Sequence, residues 1–269
     1  MPDPTRPPGP TIISVANQKG GVGKTTTTIN LSAALVELGY RVLVVDLDPQ
    51  GNASTGLGIA ADDREYTTYD LLLGDIDIHD TIQTTDTKGL WIIPATVDLS
   101  SADLEMVANE KRSFLLRDAL RQRALDSYAI DFILVDCPPS LSLLTVNAMV
   151  ASDSVLVPLQ SEFFALEGLS QLITTVREVR HAANPHLRIE GIVLTMYDQR
   201  NNLSKQVEAD ARENLGELVF KTVIPRNVRI SEAPSFALPV IDYDPTSKGA
   251  VAYRALAKEL SSRKRVQNG

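Results

Sequence analysis

Short apolar runs rich in β-branched residues recur along the chain, at Ile12–Ala16, Val42–Val45, Leu90–Ile93, Phe132–Val135, Ser154–Val157 and Gly191–Leu194. Each is too short for a typical helix and mostly lacks polar alternation, as strands buried on both faces do. Between them lie longer segments with helical spacing. Residues 25–38 carry apolar Ile29, Leu31, Ala34, Leu35 and Leu38, with Gly39 following as a C-cap. Residues 101–125, 167–183, 203–215 and 249–260 read the same way. Strand alternating with helix predicts an α/β fold, a mainly parallel twisted sheet with helices on both faces. Ligands on such sheets bind beyond the carboxyl ends of the strands, so the polar residues that follow each apolar run matter most.

Composition narrows the class. With 269 residues, 43% hydrophobic and 22% charged, the chain reads as a folded globular protein. No apolar run approaches the ~20 residues a membrane helix needs. Residues 1–10, Met1-Pro-Asp-Pro-Thr-Arg-Pro-Pro-Gly-Pro10, lack an apolar signal core and read as a disordered proline-rich leader. A single domain is expected over 11–262, followed by a basic polar tail over 263–269. The lone Cys137 excludes an intrachain disulfide and a multi-cysteine metal site, and fits a reducing, cytoplasmic setting. The net charge of −8 is unevenly spread. Up to Gln199 there are 14 Lys and Arg against 26 Asp and Glu, whereas from Arg200 onward there are 12 against 8. A locally basic C-terminal third on an acidic body can meet a polyanion through one face, or can be no more than solvated surface.

The first strand runs into Asn17-Gln-Lys-Gly-Gly-Val-Gly-Lys-Thr-Thr26 and then a helix. In that context a glycine-rich turn aims successive backbone N–H groups into one concavity, and the helix adds its positive dipole end. Gly20, Gly21, Val22, Gly23, Thr25 and Thr26 would surround a nucleotide's phosphates. Lys24 would supply a mobile cation for the β- and γ-phosphates, and Thr25 a hydroxyl for Mg2+. Asp46 and Asp48 close the second apolar run, and Asp136 closes the fourth. A carboxylate at a buried strand's carboxyl end can hold a Mg2+-bound water. Asp136 fits that role and Asp48 is a further candidate for it. The plainer readings are an N-cap for Asp136 and a turn aspartate for Asp48. Met196, Pro225 and Asn227 follow later strands and can line an apolar slot for a base.

The standard phosphate loop has glycine where Gln18 stands, and here Lys19 precedes the paired glycines. The chain therefore resembles the ParA/MinD superfamily of deviant phosphate-loop ATPases. The stretches Asp46-Leu-Asp-Pro-Gln-Gly-Asn52 and Pro225-Arg-Asn-Val-Arg-Ile-Ser-Glu-Ala-Pro-Ser235 resemble its chromosomal ParA (Soj-like) branch. The resemblance spans about residues 11–262. It implies ATP and Mg2+ as ligands, and a homodimer formed with ATP in which Lys19 reaches the partner's nucleotide. It further implies Asp48 as the catalytic aspartate orienting water, Pro138 and Pro139 as a switch segment, and Pro225 and Asn227 as adenine contacts. Non-specific DNA binding, stimulation by a ParB-type partner and a nucleoid-associated location are also implied. For DNA the basic third offers Arg200, Arg229, Lys205, Arg226, Arg254 and Lys258, with Arg200 and Arg229 foremost because each follows a predicted strand.

The alternatives differ in what they require. A MinD-type membrane-surface ATPase needs a C-terminal amphipathic helix, yet residues 261–269 hold one apolar side chain, Val266. A nitrogenase-like reductase needs cysteines for an iron–sulfur cluster. A metabolic ligase of the same superfamily needs a separate substrate motif. A ParA-like ATPase that positions a protein cluster stays open, because that difference lies in the partner. Cys137, Trp91 and the stripe Phe163, Phe164, Leu166 and Leu169 read as packing, and His79, His181 and His186 lack metal-ligand spacing.

Overall fold

The structure, a computed structural model, describes residues 9–74, 76–162 and 165–267. The expected leader, apart from Gly9 and Pro10, and Phe163 and Phe164 of the apolar stripe lie outside the described residues. Among the described residues seven strands form one sheet: β1 Thr11–Val15, β2 Val42–Asp46, β3 Gln83–Thr84, β4 Leu90–Ile93, β5 Phe132–Asp136, β6 Ser154–Gln160 and β7 Arg188–Thr195. Their spatial order is β3-β4-β2-β5-β1-β6-β7. All neighbours pair in parallel except the short edge strand β3, which runs antiparallel to β4.

The helices, in chain order, are α1 Lys24–Glu37, α2 Asn52–Gly56, α3 Thr68–Leu73, α4 Ile78–Thr81, α5 Leu99–Glu105 and α6 Leu115–Leu120. They continue with α7 Leu143–Ala151, α8 Ala165–Ala182, α9 Asn202–Leu215, α10 Val228–Glu232, α11 Val240–Tyr243 and α12 Lys248–Gln267. They cover both faces, which is why the strands needed no polar side. Alternate residues of β2 enter two separate cores. Leu43 and Val45 pack with Ile133, Leu116 and Leu144. Val42 and Val44 pack with Leu31 and Leu35 of α1 and Leu256 of α12. Among the described residues no helix is long and apolar enough to cross a membrane.

Three elements depart from the periodicity. The helix predicted over 101–125 is broken after α5, and α6 begins only at Leu115. Asn109 forms a local turn by accepting the Lys111 N–H at 2.8 Å, and such side-chain bonds compete with the helical ladder. Asn147 of α7 then receives the Leu116 N–H at 3.3 Å, which fixes where α6 starts. The short α7, apolar except for Thr145 and Asn147, carries no clear period and escapes the pattern. Helix α12 runs on to Gln267, through most of the expected polar tail. Trp91 is half-buried rather than core, and the Arg41 guanidinium lies over its ring, 5.1 Å from the centroid.

Candidate nucleotide site

The loop between β1 and α1 is anchored from two neighbouring strands. Asn17 donates to the Pro158 carbonyl at 2.7 Å and accepts the Lys19 N–H at 3.0 Å. Thr195, at the end of β7, donates to the Val22 carbonyl at 2.8 Å. Gly21 and Gly23 adopt φ of 71° and 86°, a left-handed backbone that glycine takes without strain. Gly23 is also the N-cap of α1 and offers no side-chain cap. The first N–H groups of the helix therefore remain for an anion. Lys24 is buried, and its ammonium donates to the Lys19 carbonyl at 3.1 Å. Burial pushes its pKa down, and Asp136, Cys137 and Asp48 oppose that shift. An ammonium so placed gains from any phosphate that enters the loop.

Asp46 and Asp136 are register partners at the carboxyl ends of β2 and β5, and both are fully buried. Their surroundings differ. Asp46 accepts the Ser54 N–H at 2.8 Å, the Ser54 hydroxyl at 2.7 Å and the Asp48 N–H at 3.2 Å. It holds a turn together, although burial pushes its pKa up to about 6. Asp136 receives the Thr28 hydroxyl on Oδ1 at 3.0 Å, and the nearby Thr25 hydroxyl favours its ionised form. Its Oδ2 is buried and has no hydrogen-bond partner among the described residues. Burial, then the nearby Asp46, push the Asp136 carboxyl up to about 8. An orphaned carboxylate oxygen next to a threonine hydroxyl and an anion-binding loop suits a hydrated divalent cation. Thr28 escaped the sequence reading, because one hydroxyl in the run Thr25-Thr-Thr-Thr28 gives no sign of which faces the strand.

Strand β2 stops at Asp46, so Asp48 does not share its strand face, as persistence of the strand would have required. Asp48 sits instead in the turn before α2, where its carboxylate accepts the Gln50 N–H at 3.0 Å. Cys137 is buried and burial pushes its thiol up, so it is no nucleophile.

Beside the phosphate loop lies a cavity of about 300 Å3 lined by Gly23, Thr26, Met196, Pro225, Asn227 and Tyr253, among others. The three residues expected to hold a base thus face one cavity with the loop. Met196 stands at φ 51°, where the chain turns out of β7. Asn227 accepts the Arg229 N–H at 2.9 Å as the N-cap of α10, so its amide NH2 can still donate. Tyr253 was not foreseen. It is a fully buried residue of α12 whose hydroxyl lies 3.5 Å from that of Thr27, and it reads in sequence as helix core.

The expected cations fall into different settings. Arg200 and Arg226 line one open groove of about 880 Å3, together with Lys248, Val251 and Ala255 of α12. Lys258 is exposed one turn further along that face, and Lys205 is exposed on α9. Arg229 is paired with Glu232 at 2.8 Å and Asp244 at 3.3 Å. Arg254 turns to Glu37 of α1, at 2.6 and 3.0 Å. Lys19 is paired with Glu162 at 3.1 Å. Lys248 was missed because it precedes the predicted start of its helix.

A profile of the AAA domain family matches residues 10–189. The chromosome partitioning protein ParA of Caulobacter vibrioides is 55% identical over 255 residues, covering 94% of this chain and 95% of that protein. The sporulation initiation inhibitor protein Soj of Bacillus subtilis is 53% identical over 251 residues, covering 93% and 98%. Among solved structures, cobyrinic acid a,c-diamide synthase from Mycobacterium smegmatis with bound ADP and magnesium has a TM-score of 0.82. It is 37% identical, over 95% of this chain and 96% of that one.

Proposed function

Since the chain belongs to the ParA/Soj family of partitioning ATPases, we propose that it is an ATP-driven switch carried on DNA, assembling as a dimer with ATP and releasing DNA after hydrolysis. The observation that supports this most directly is the orphaned Oδ2 of Asp136 beside Thr25 and the phosphate loop. Magnesium held there, through Thr25 and a water on Asp136, would draw off charge from the β- and γ-phosphates. The loop amides and the start of α1 would hold the phosphates, and Lys24 would leave the Lys19 carbonyl to follow them. Met196, Pro225 and Asn227 would hold adenine. Asp48 would orient the attacking water for in-line displacement, and Lys19 would add a second cation across the dimer. The groove of Arg200, Arg226 and Lys248 would meet DNA phosphates without reading bases. A ParB-type protein would trigger hydrolysis, and the cycle would move DNA cargo.

Sedimentation with random-sequence DNA tests this, comparing ATP, ADP and no nucleotide at two salt concentrations. Binding that needs ATP, weakens steeply with salt and disappears in Lys24→Ala supports the reading. ATP-dependent dimers that ignore DNA would overturn the DNA-carried part and favour a protein or membrane scaffold, which vesicle sedimentation would separate.

A further inference from the structure

Arg64 stands in an acidic, unpatterned stretch, Asp62-Asp-Arg-Glu65, with nothing in sequence to mark it. In the structure it is half-buried and its hydrogen bonds go to neutral oxygens. Nε and Nη2 donate to the Ile59 carbonyl at 3.2 and 2.8 Å. Nη1 donates to the Ala95 carbonyl at 2.9 Å, and Nη2 to the Thr55 hydroxyl at 2.8 Å. Thr55 in turn donates to the Gly51 carbonyl at 3.1 Å. The guanidinium also occupies the space that a side chain at position 51 would need. A Cβ on Gly51 would strike Arg64 Nη1 and come within 2.8 Å of the Ala95 carbonyl. Gly51 itself stands at φ 60° and is the N-cap of α2.

Those contacts converge on the turn that carries Asp48. The Gly51 N–H closes that turn on the Asp48 carbonyl at 2.9 Å. On its other side the turn is tied by Asp46, which bonds the Asp48 N–H and Ser54. Ser54 accepts the Ala95 N–H at 3.0 Å, and the Ala95 carbonyl leads back to Arg64. The Asp48 turn is therefore held between two anchors, one a buried carboxylate and the other a guanidinium, both referenced to Ala95, two residues past the end of β4. A planar five-donor fork suits this work, since it can bind the oxygens of three residues at once.

We propose that Arg64 is a positioning residue for hydrolysis, fixing through Thr55 and Gly51 the direction in which Asp48 presents its carboxylate to the attacking water. This rests on the reading of Asp48 given above. Displacing a positioned group by about 1 Å can slow a reaction about 100-fold without loosening substrate. Arg64→Gln is thus expected to lower kcat about 10- to 100-fold, with KM and ADP affinity within about 3-fold of the parent. Arg64→Lys, which keeps the charge and loses the fork, rescues little of the rate. Thr55→Val, a milder change should Arg64→Gln fold poorly, gives a smaller loss of the same kind. Combined with Asp48→Asn, Arg64→Gln adds no further loss, because both act on one step. A second readout does not need turnover. Hydrogen exchange at the Gln50 and Gly51 amides speeds up in Arg64→Gln, while the amides of residues 20–24 keep the parent rate. Unchanged exchange at Gln50 and Gly51, or a rise in KM with kcat intact, overturns the proposal. A parent protein that does not hydrolyse ATP overturns the reading of Asp48 instead, and the exchange data still judge the clamp.

Discussion

Thr28 donates its hydroxyl to one oxygen of Asp136 at 3.0 Å, while the other oxygen of that carboxylate is buried with no hydrogen-bond partner among the described residues. Helix α1 thus reaches across to β5 at a carboxyl that burial pushes up to about 8, close to the Lys24 ammonium. Such a group costs stability when ionised.

That cost has a sign that pH reveals. Burial holds Asp46 at about 6 and Asp136 at about 8 in the folded chain, against about 4 for an unfolded aspartate. Between about pH 4 and 8 the native state therefore holds more protons than the unfolded one. Stability is greatest at the acid end of that window, falls as pH rises through it, and levels off above about 8. Asp136→Asn mimics the protonated group. Without magnesium and nucleotide, it should match the parent Tm near pH 4.5 and exceed it by a few degrees, roughly 2–6 °C, at pH 8.5. Thermal unfolding across pH measures this, and parallel Tm profiles would show that Asp136 does not carry the effect.

The ion pair between Lys19 and Glu162 leaves the two side chains 41% and 48% exposed. Exposed pairs contribute about 0–1 kcal/mol, so the pair is easily given up. Glu162→Gln should move Tm by less than about 2 °C and should lower the ATP concentration at which dimers form, since Lys19 no longer has a competing partner. Lys19→Ala should keep nucleotide affinity in the monomer and lose ATP-dependent assembly. Sedimentation velocity with a slowly hydrolysed ATP analogue measures both. Dimers of normal stability in Lys19→Ala would remove this lysine from the interface.

Much of this was legible in the residues, for identifiable reasons. Strands buried on both faces leave continuous apolar runs, so six of the sheet's seven strands are readable; the exception, Gln83–Thr84, has two residues and no apolar signal. The glycines, Lys24 and Asp136 stand out in sequence because phosphate chemistry restricts residue type and spacing together, and the structure sets Lys24 close to Asp136. The family resemblance rested on those same restricted stretches, and the chain does belong to that family. Arg64 and Tyr253 were illegible because they are defined by contacts across 31 and 226 residues of chain, Arg64 with Ala95 and Tyr253 with Thr27. No local pattern records such a meeting. Helix α6 begins where Asn147 dictates, again from a distant position.

Asn227 serves two structural ends that substitution can separate. Its amide oxygen caps α10 through the Arg229 N–H, and its NH2 is left to face the cavity beside Pro225. Asn227→Asp keeps a strong N-cap and removes the donor. ATP affinity by calorimetry should fall about 10-fold, from one lost hydrogen bond and an added charge, with Tm unchanged. Asn227→Ala should lose affinity and, in addition, about 1 kcal/mol of stability from the missing cap. Normal ATP affinity in Asn227→Asp would remove this residue from the base site.

The six basic residues singled out in sequence are not equivalent, and the structure sorts them by what already neutralises them. Arg254 is only 26% exposed and grips Glu37 with two nitrogens, at 2.6 and 3.0 Å, besides bonding the Pro245 carbonyl. Arg200 is 92% exposed and its carboxylate partner, Asp198, lies two residues away in the same turn. Lys248, which sequence reasoning passed over, shares a groove with Arg200 and Arg226. A cation contributes to non-specific DNA binding by releasing counterions from a phosphate, which adds about 0.9 to the slope of log affinity against log salt. Arg200→Ala and Lys248→Ala should each reduce that slope by about 1, uniformly across sequences. Arg254→Ala should leave the slope unchanged and lower Tm, because it strips a tie between α12 and α1 instead of a phosphate contact. Fluorescence anisotropy of labelled random DNA, titrated across potassium chloride with ATP present, measures every slope. If Arg254→Ala flattens the salt dependence and Lys248→Ala does not, the DNA face lies along the α1–α12 seam and not along the groove beneath Arg226.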